Sequence, residues 1–151
     1  MSQTTMSQYG AASVAGLLDG VGPRNVRSYA AEEIIPVGFP VKLGTDAEKE
    51  VKKATAGAGV IGFSIHDQAR EQTSAGAVQY AATETVSVLT QGRMWVETNG
   101  AVVAGATANL VVATGKLTGA AVAAGIEAFT QVSVKFITAT TAAGLALVEI
   151  K

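Results

Sequence analysis

The sequence contains little of the side-chain chemistry on which enzymes and metalloproteins depend. Its 151 residues include no cysteine, one histidine (His66) and one tryptophan (Trp95), and only 15% of them are charged. Without cysteine there is no disulfide and no thiolate metal site. With one histidine, few clusters of nucleophile, base and positioning group can form. We therefore expect no enzymatic activity, no cofactor and no bound metal.

Charge and hydropathy narrow the set of partners further. The formal net charge is −1, whereas binding to nucleic-acid phosphates requires a basic field. Glycine, threonine and charged residues interrupt every apolar run before it reaches the roughly 18 residues that a membrane-spanning helix needs. Residues 1–18 lack the basic and apolar segments of a signal peptide. We expect neither nucleic acid nor a membrane as a partner.

Small and β-branched residues in short alternating runs make up most of the rest. Glycine alone accounts for 17 positions, and glycine-containing turns separate the runs. The predicted strands cover residues 60–65, 86–88, 94–96, 110–112, 131–136 and 145–150. Short strands at this spacing are typical of barrels and sandwiches. The sequence therefore predicts an all-β fold, a small β-barrel or jelly-roll-like sandwich that spans residues 34–151.

Two local patterns predict how strands connect. Asn99-Gly100 is a strong two-residue hairpin signal, and it predicts a hairpin between residues 94–96 and 101–103. Pro36 and Pro40 exclude a central strand, so the segment around them is predicted to be an edge strand or a bend.

Residues 1–33 differ in composition from the rest and are predicted to form an extended N-terminal arm. Residues 11–18 have apolar positions at helical spacing, which favours a short helix there. Trp95 lies between Arg93 and Glu97 on a mixed strand face, so it is either an interface anchor or a peripheral core residue. The candidate interface residues are apolar, aromatic or cationic: Leu17, Leu18, Arg24, Arg27, Tyr29 and Trp95.

Two short motifs resemble the patterns of known functional sites. Residues 57–62 match the dinucleotide pattern G-x-G-x-x-G, but charged residues precede them and the second half is β-like, which favours a turn entering a strand. His66 shares a strand face with Ser64 and adjoins Asp67, yet no nucleophile-elbow pattern is present. A surface histidine at a strand end is the favoured interpretation.

The most charged segment is residues 45–53. It is compatible with one helical turn, or with a turn followed by a strand that ends at Ala54. Asp46, Glu48 and Glu50 alternate along it, but they lack the glycine and terminal glutamate of a calcium-binding loop. The segment is therefore interpreted as a solvated surface.

The order of several short motifs resembles the capsid decoration or cement proteins of tailed bacteriophages. The resemblance covers residues 34–151 and consists of five motifs in order: Gly38-Phe39-Pro40-Val41, the strand Val60 to Phe63, the pattern Val-x-Val-x-x-x-Gly-x-x-x-Val from Val86 to Val96, Ala104-Gly105, and the ending Ala143 to Val148. It does not cover the predicted arm.

This resemblance implies a small β-barrel or jelly-roll-like protein of the virion with no catalytic role. Such proteins sit as homo-oligomers, here a dimer or a trimer, on the outside of the capsid lattice and bridge neighbouring major capsid subunits. The chain would be made in the host cytoplasm. Two alternatives stay open at this point: a tail or baseplate β-domain, and a β-module that binds a small ligand or glycan.

Overall fold

The computed structural model describes residues 14–20, 22–67, 73–74 and 77–151. Within them the secondary structure consists of β-strands: β1 (Asn25–Ala31), β2 (Ile35–Pro36), β3 (Pro40–Leu43), β4 (Glu50–Lys53), β5 (Val60–Ser64), β6 (Gln79–Tyr80), β7 (Thr85–Glu97), β8 (Asn109–Val111), β9 (Leu117–Thr118), β10 (Ile126–Ala128), β11 (Val134–Phe136) and β12 (Leu145–Ile150). The predicted all-β fold is confirmed. No helix long and apolar enough to cross a membrane occurs in this part of the chain.

Five strands close into a barrel. In the seven-stranded sheet the order is β1-β4-β3-β5-β7-β12-β11, and β1 also pairs with β7. That additional pairing closes the ring β1-β4-β3-β5-β7. The β1–β4 pair is parallel and the other four pairs are antiparallel. Strands β12 and β11 continue the sheet beyond the barrel, beside a small sheet of β10, β8 and β9.

Two groups of buried apolar side chains stabilise this arrangement. The barrel core draws on the strands of the ring and on the short strands β2 and β6: Ala31, Ile35, Val41, Val51, Tyr80, Val86 and Val88. The second core lies between the extended sheet and the β8–β9 strands, and it includes Val60, Phe63, Leu89, Met94, Val96, Leu110, Leu117, Phe136, Val148 and Ile150. Strand β7 contributes to both cores, and burial of each large apolar side chain contributes about 1.5–3 kcal/mol.

An irregularity in β7 allows one strand to serve two cores. Val26 pairs with Leu89 but Asn25 pairs with Gln91, so Thr90 is an extra residue on β7. A bulge of this kind shifts the alternation of side chains. As a result Leu89 and Met94, five positions apart, both enter the second core, although strict alternation would place them on opposite faces.

The N-terminal segment runs antiparallel along the edge of β7. The Gly16 N–H donates to the Trp95 carbonyl (2.7 Å), the Trp95 N–H donates to the Leu17 carbonyl (2.9 Å), and Leu18 forms a β-bridge with Met94. The predicted helix over residues 11–18 is therefore wrong for residues 14–18, because their backbone bonds go to a strand. Residues 11–13 lie outside the described residues.

The structure also places part of the predicted arm in the barrel. Strand β1, inside the range 1–33, pairs with β7 along six residues and with β4 at its end. The sheet therefore begins before residue 34, since the barrel needs β1 to close. Residues 1–13 of the predicted arm lie outside the described residues.

The predicted hairpin around Asn99-Gly100 is wrong. Within the described residues, β12 takes one edge of β7 at residues 92–97, and the segment containing Leu17 takes the other. No edge is left for residues 101–103. Val102 instead forms a β-bridge with Thr140, donating to and accepting from its backbone at 3.1 and 3.0 Å.

The proline prediction is right at Pro36 and wrong at Pro40, because β3 pairs with β4 on one side and β5 on the other and is a central strand. Pro40 is tolerated there because it is the first residue of the strand. Pro36 ends the two-residue strand β2, which pairs with β6 outside the main sheet. The charged segment 45–53 forms a turn followed by β4, so the turn-and-strand alternative is the observed one.

Candidate functional site

The serine that the sequence placed beside the histidine has a structural role. Ser64 is fully buried. Its hydroxyl donates to the Pro36 carbonyl at 2.5 Å and accepts from the Phe39 N–H at 3.0 Å. Because both bonds hold the turn before β3, the hydroxyl is not presented to a substrate.

His66 follows β5 and is half-buried, at one side of a cavity of about 530 Å³. The cavity lies where the turn containing Phe39 meets the loop containing Gly115, and Glu97 and Lys116 also line it. The His66 Nδ1 atom is buried without a hydrogen-bond partner. The surface-histidine interpretation is therefore only partly right. The Gly16 backbone covers one side of His66, and the Gly16 carbonyl accepts the backbone N–H of His66 at 2.9 Å.

The remaining sequence motifs have local structural roles. Gly59 has a φ of 81° and leads directly into β5, so the glycine-rich segment forms the turn that the sequence favoured. The Asp46 Oδ1 atom accepts from the Glu48 N–H (3.2 Å), and Glu50 Oε2 accepts from the Asp46 N–H (3.2 Å). Among the described residues, no group of three or more His, Asp or Glu side chains is arranged to hold a metal ion.

Three of the six candidate interface residues take part in the packing of the protomer itself. Leu18 packs against the second core and Tyr29 against the barrel core. Trp95 is 8% exposed, and it lies directly opposite the fully buried Leu147 on the adjacent strand β12. Leu17 is half-buried, and its carbonyl bonds to the Trp95 backbone. These positions supply intramolecular contacts; any role for them at an interface stays a prediction.

The two arginines among the candidates are exposed. Arg24 precedes β1, and its Cβ atom lies against Gly92, 3.0 Å from where a β-carbon on that glycine would be. Arg27 lies on β1 opposite Val88. Neither arginine forms an ion pair with any residue that the structure describes.

A row of charged side chains crosses three strands near Arg24. Arg93 on β7 lies directly opposite Glu149 on β12, and Glu149 lies directly opposite Lys135 on β11. Residues opposite one another share a face of the sheet. Glu149 is within 3.8 Å of the Arg93 guanidinium and 3.2 Å of the Lys151 ammonium. On the other edge of β7, the Asp19 N–H donates to the Arg93 carbonyl at 3.1 Å. We call Arg24, Arg93, Lys135 and Lys151 the basic patch; Glu149 and Asp19 are the carboxylates beside it.

The sequence matches the family described as structural cement protein (E217 gp24/Pam3 gp6) over residues 2–151. The chain belongs to this family of phage structural proteins. The predicted resemblance is thereby confirmed, and the match includes residues 2–33, which the resemblance left out. It is a family of structural proteins and not a class of enzymes.

The fold is also similar to a chain of a solved structure, "The capsid of Myoviridae Phage XM1". The TM-score is 0.68 at 18% sequence identity, over 97% of this chain and 95% of that chain. At such low identity the likeness establishes the shared fold alone. No curated protein matches the sequence significantly.

Charged side chains are unevenly distributed between the two halves of the chain. Residues 24–67 contain twelve charged side chains, whereas residues 98–148 contain only Lys116, Glu127 and Lys135. Lys116 is 3.7 Å from the Glu97 carboxylate, and Glu127 accepts the Gly57 N–H at 2.7 Å. Lys135 is the exposed one of these three and belongs to the basic patch.

The loops beyond β7 form a surface without charge. Residues 100–106, 119–125 and 139–144 contain no charged side chain. Backbone hydrogen bonds between Val102 and Thr140 join loop 100–106 to loop 139–144. Loop 100–106 also approaches loop 119–125, because the Ala106 Cβ lies 3.8 Å from where a β-carbon on Gly119 would be. Val103 (71% exposed) and Val122 (62%) lie on these loops. This surface offers a partner apolar contacts but no ion pair.

Sequence reasoning missed most of the basic patch. Arg93, Lys135, Glu149 and Lys151 are far apart in the chain, and none stands in a recognisable motif. The alternation of residues 131–136 and 145–150 is the one sequence signal that could have placed Lys135 and Glu149 on outward faces. Only the register of β7, β12 and β11 shows that these side chains form one group.

Proposed function

We propose that the chain binds the outer surface of the assembled phage capsid and stabilises it by bridging neighbouring major capsid subunits. The match of residues 2–151 to a structural cement family carries this proposal. The fold is compatible with it, because a closed barrel fused to a second core presents rigid surfaces at a small ordering cost.

The physical basis of the proposed activity is linkage. A protein that binds the assembled lattice but not its free subunits lowers the free energy of the assembled state, by an amount that grows with its concentration relative to its Kd. Shape complementarity is enough for this activity. It agrees with a chain in which the buried Ser64 hydroxyl bonds to the backbone of Pro36 and Phe39.

The remaining features of the proposal concern location and partners. We propose the major capsid protein and further copies of this chain as partners, without nucleic acid, and a final location on the capsid exterior after synthesis in the host cytoplasm. Arg24 and Arg27, both exposed, are the proposed charged contacts of the N-terminal region. Deletion of residues 2–30 does not test that role, because it removes β1 and opens the barrel.

The deciding experiment is size-exclusion chromatography with light scattering of the purified chain, alone and with two probes. The probes are assembled capsid shells that lack the protein and unassembled major capsid subunits. We expect the chain to co-elute with shells and not with subunits, and we expect shells that carry it to dissociate at a higher temperature. A chain that ignores shells but co-purifies with tails would contradict the proposal and favour a tail or baseplate role.

A further inference from the structure

The basic patch has an excess of positive charge that the protomer does not neutralise. Arg93, Lys135 and Lys151 lie next to Glu149, and Arg24 lies against Gly92. Asp19 lies opposite Arg93 on the other edge of β7, so four cations share this region with two carboxylates. The side chain of Lys151 is 69% exposed, while those of Arg93 and Glu149 are 31% and 27% exposed. The patch is therefore accessible, and with four cations against the carboxylates of Glu149 and Asp19 this region carries a formal charge of +2 in a chain whose net charge is −1.

The fold holds these charges close together. Arg93 and Lys135 lie one strand to either side of Glu149, so their backbones are about 10 Å apart, or two inter-strand spacings. Arg24 is fixed at the same end, because its Cβ contacts Gly92. The residues just before it, Gly22 and Pro23, line a cavity of about 110 Å³ together with Arg93, Glu149 and Lys151.

Cations elsewhere on the described surface are matched more evenly. Lys49 lies 3.6 Å from Asp46, and Lys52 lies 3.9 Å from Glu32. At that end of the barrel, Glu33, Glu48 and Glu50 add further carboxylates. The excess of positive charge is therefore a property of one face, set by strand register, and is not spread over the molecule.

We infer that the basic patch docks onto an acidic surface of the assembled capsid shell; this inference rests on the function proposed above. Repulsion among the four cations is relieved when partner carboxylates come within ion-pair distance. An apolar partner would leave Arg24 and Lys135, which form no ion pair with any described residue, without a counter-charge. The Arg93 and Arg24 guanidiniums suit two-pronged bonds to carboxylates. Because the groups remain partly exposed, the attraction falls as salt is added.

The test is co-sedimentation of the full-length chain with assembled shells that lack it, at 50 and 300 mM NaCl. The informative variant is K135E/K151E, because both lysines are exposed and neither belongs to a core. The matched control is K49E/K53E, which makes the same change of charge at the other end of the molecule. Thermal unfolding of each variant shows whether it is folded, and R24E provides a second probe should the double variant be unstable.

We expect K135E/K151E to weaken binding about tenfold at 50 mM NaCl and the control to stay within about twofold, on the scale of exposed ion pairs. Binding of the unmodified chain should weaken at 300 mM NaCl. If that chain binds but neither the double variant nor salt changes its affinity, the inference fails while the proposed function stands. If it does not bind shells at all, the proposed function fails. Tighter binding of the patch to duplex DNA than to shells would also overturn the inference.

Discussion

The carboxylate of Glu32 is held by Thr45 through two hydrogen bonds. The Thr45 N–H donates to Glu32 Oε2 and the Thr45 hydroxyl donates to Oε1, both at 2.8 Å. These bonds fasten the turn after β3 to the residue that follows β1. They also favour the ionised carboxylate and, together with the nearby Lys52, lower the pKa of Glu32 from its usual 4.5.

The lowered pKa of Glu32 gives a pH-dependent contribution to stability. Its folded-state pKa lies below the unfolded value, so the contribution is fully present above about pH 4.5 and is lost as pH falls through the folded-state pKa. We expect E32Q to lower the melting temperature at pH 7 and to approach the unmodified protein at pH 3. Melting curves from pH 3 to 7 measure this. E48Q, whose carboxylate is exposed, is the control; equal pH profiles for the two variants would contradict the assignment.

Replacement of Ser64 by alanine should destabilise the protomer. The hydroxyl bonds to Pro36 and Phe39 from a fully buried position, so its loss leaves the Phe39 N–H without this partner. The expected cost in the free energy of unfolding is about 1–3 kcal/mol. Urea unfolding measures it, with S28A on the exposed part of β1 as control. A loss no larger than that of S28A would show that the turn has other support.

Gly62 is required by the close approach of β5 to β7. A β-carbon at this position would lie 2.3 Å from the Leu89 carbonyl oxygen and 2.9 Å from Val88 Cγ1. The backbone of β7 would have to move, so we expect G62A to destabilise the protein by about 1–3 kcal/mol or more. G100A is the matched control, because nothing lies within 4 Å of that position. Similar unfolding midpoints for both variants would contradict this packing.

Replacement of Trp95 by alanine distinguishes the two roles that the sequence left open, an interface anchor and a peripheral core residue. The low exposure of Trp95 and its position opposite Leu147 predict that W95A lowers the free energy of unfolding of the isolated chain by about 3–5 kcal/mol. An interface anchor without a packing role would instead lower shell binding and leave unfolding unchanged. Urea unfolding of the isolated chain, compared with co-sedimentation on shells, separates the two roles.

The local strand pattern was largely predictable from the sequence. Residues 145–150 alternate strongly enough to locate β12, and the glycines before Val60 locate the start of β5. The predictions that failed were those that depend on which strands pair with each other. Asn99-Gly100 is a good turn sequence, but the hairpin does not form because both edges of the second half of β7 are already occupied.

Residues 25–31 of the predicted arm lie in the sheet for the same reason. Polar composition before residue 34 resembles a tail, yet β1 is half-exposed and needs few apolar residues to pair with β7. Residues 14–18 have helical spacing of apolar side chains, but Gly16 and Leu17 hydrogen-bond to the backbone of Trp95 and Leu18 pairs with Met94. Backbone pairing at a sheet edge leaves little trace in side-chain pattern.

By itself, the sequence determined the fold class, the scarcity of reactive groups and the family, since these depend on composition, alternation and motif order. The tertiary structure decided the closure of the barrel by β1, the place of Trp95 in the protomer and the assembly of the basic patch. Each of these depends on which strands pair and in what register. Register sets which side chains share a face, and residues such as Arg93 and Lys135, 42 positions apart in the chain, come onto one face only through it.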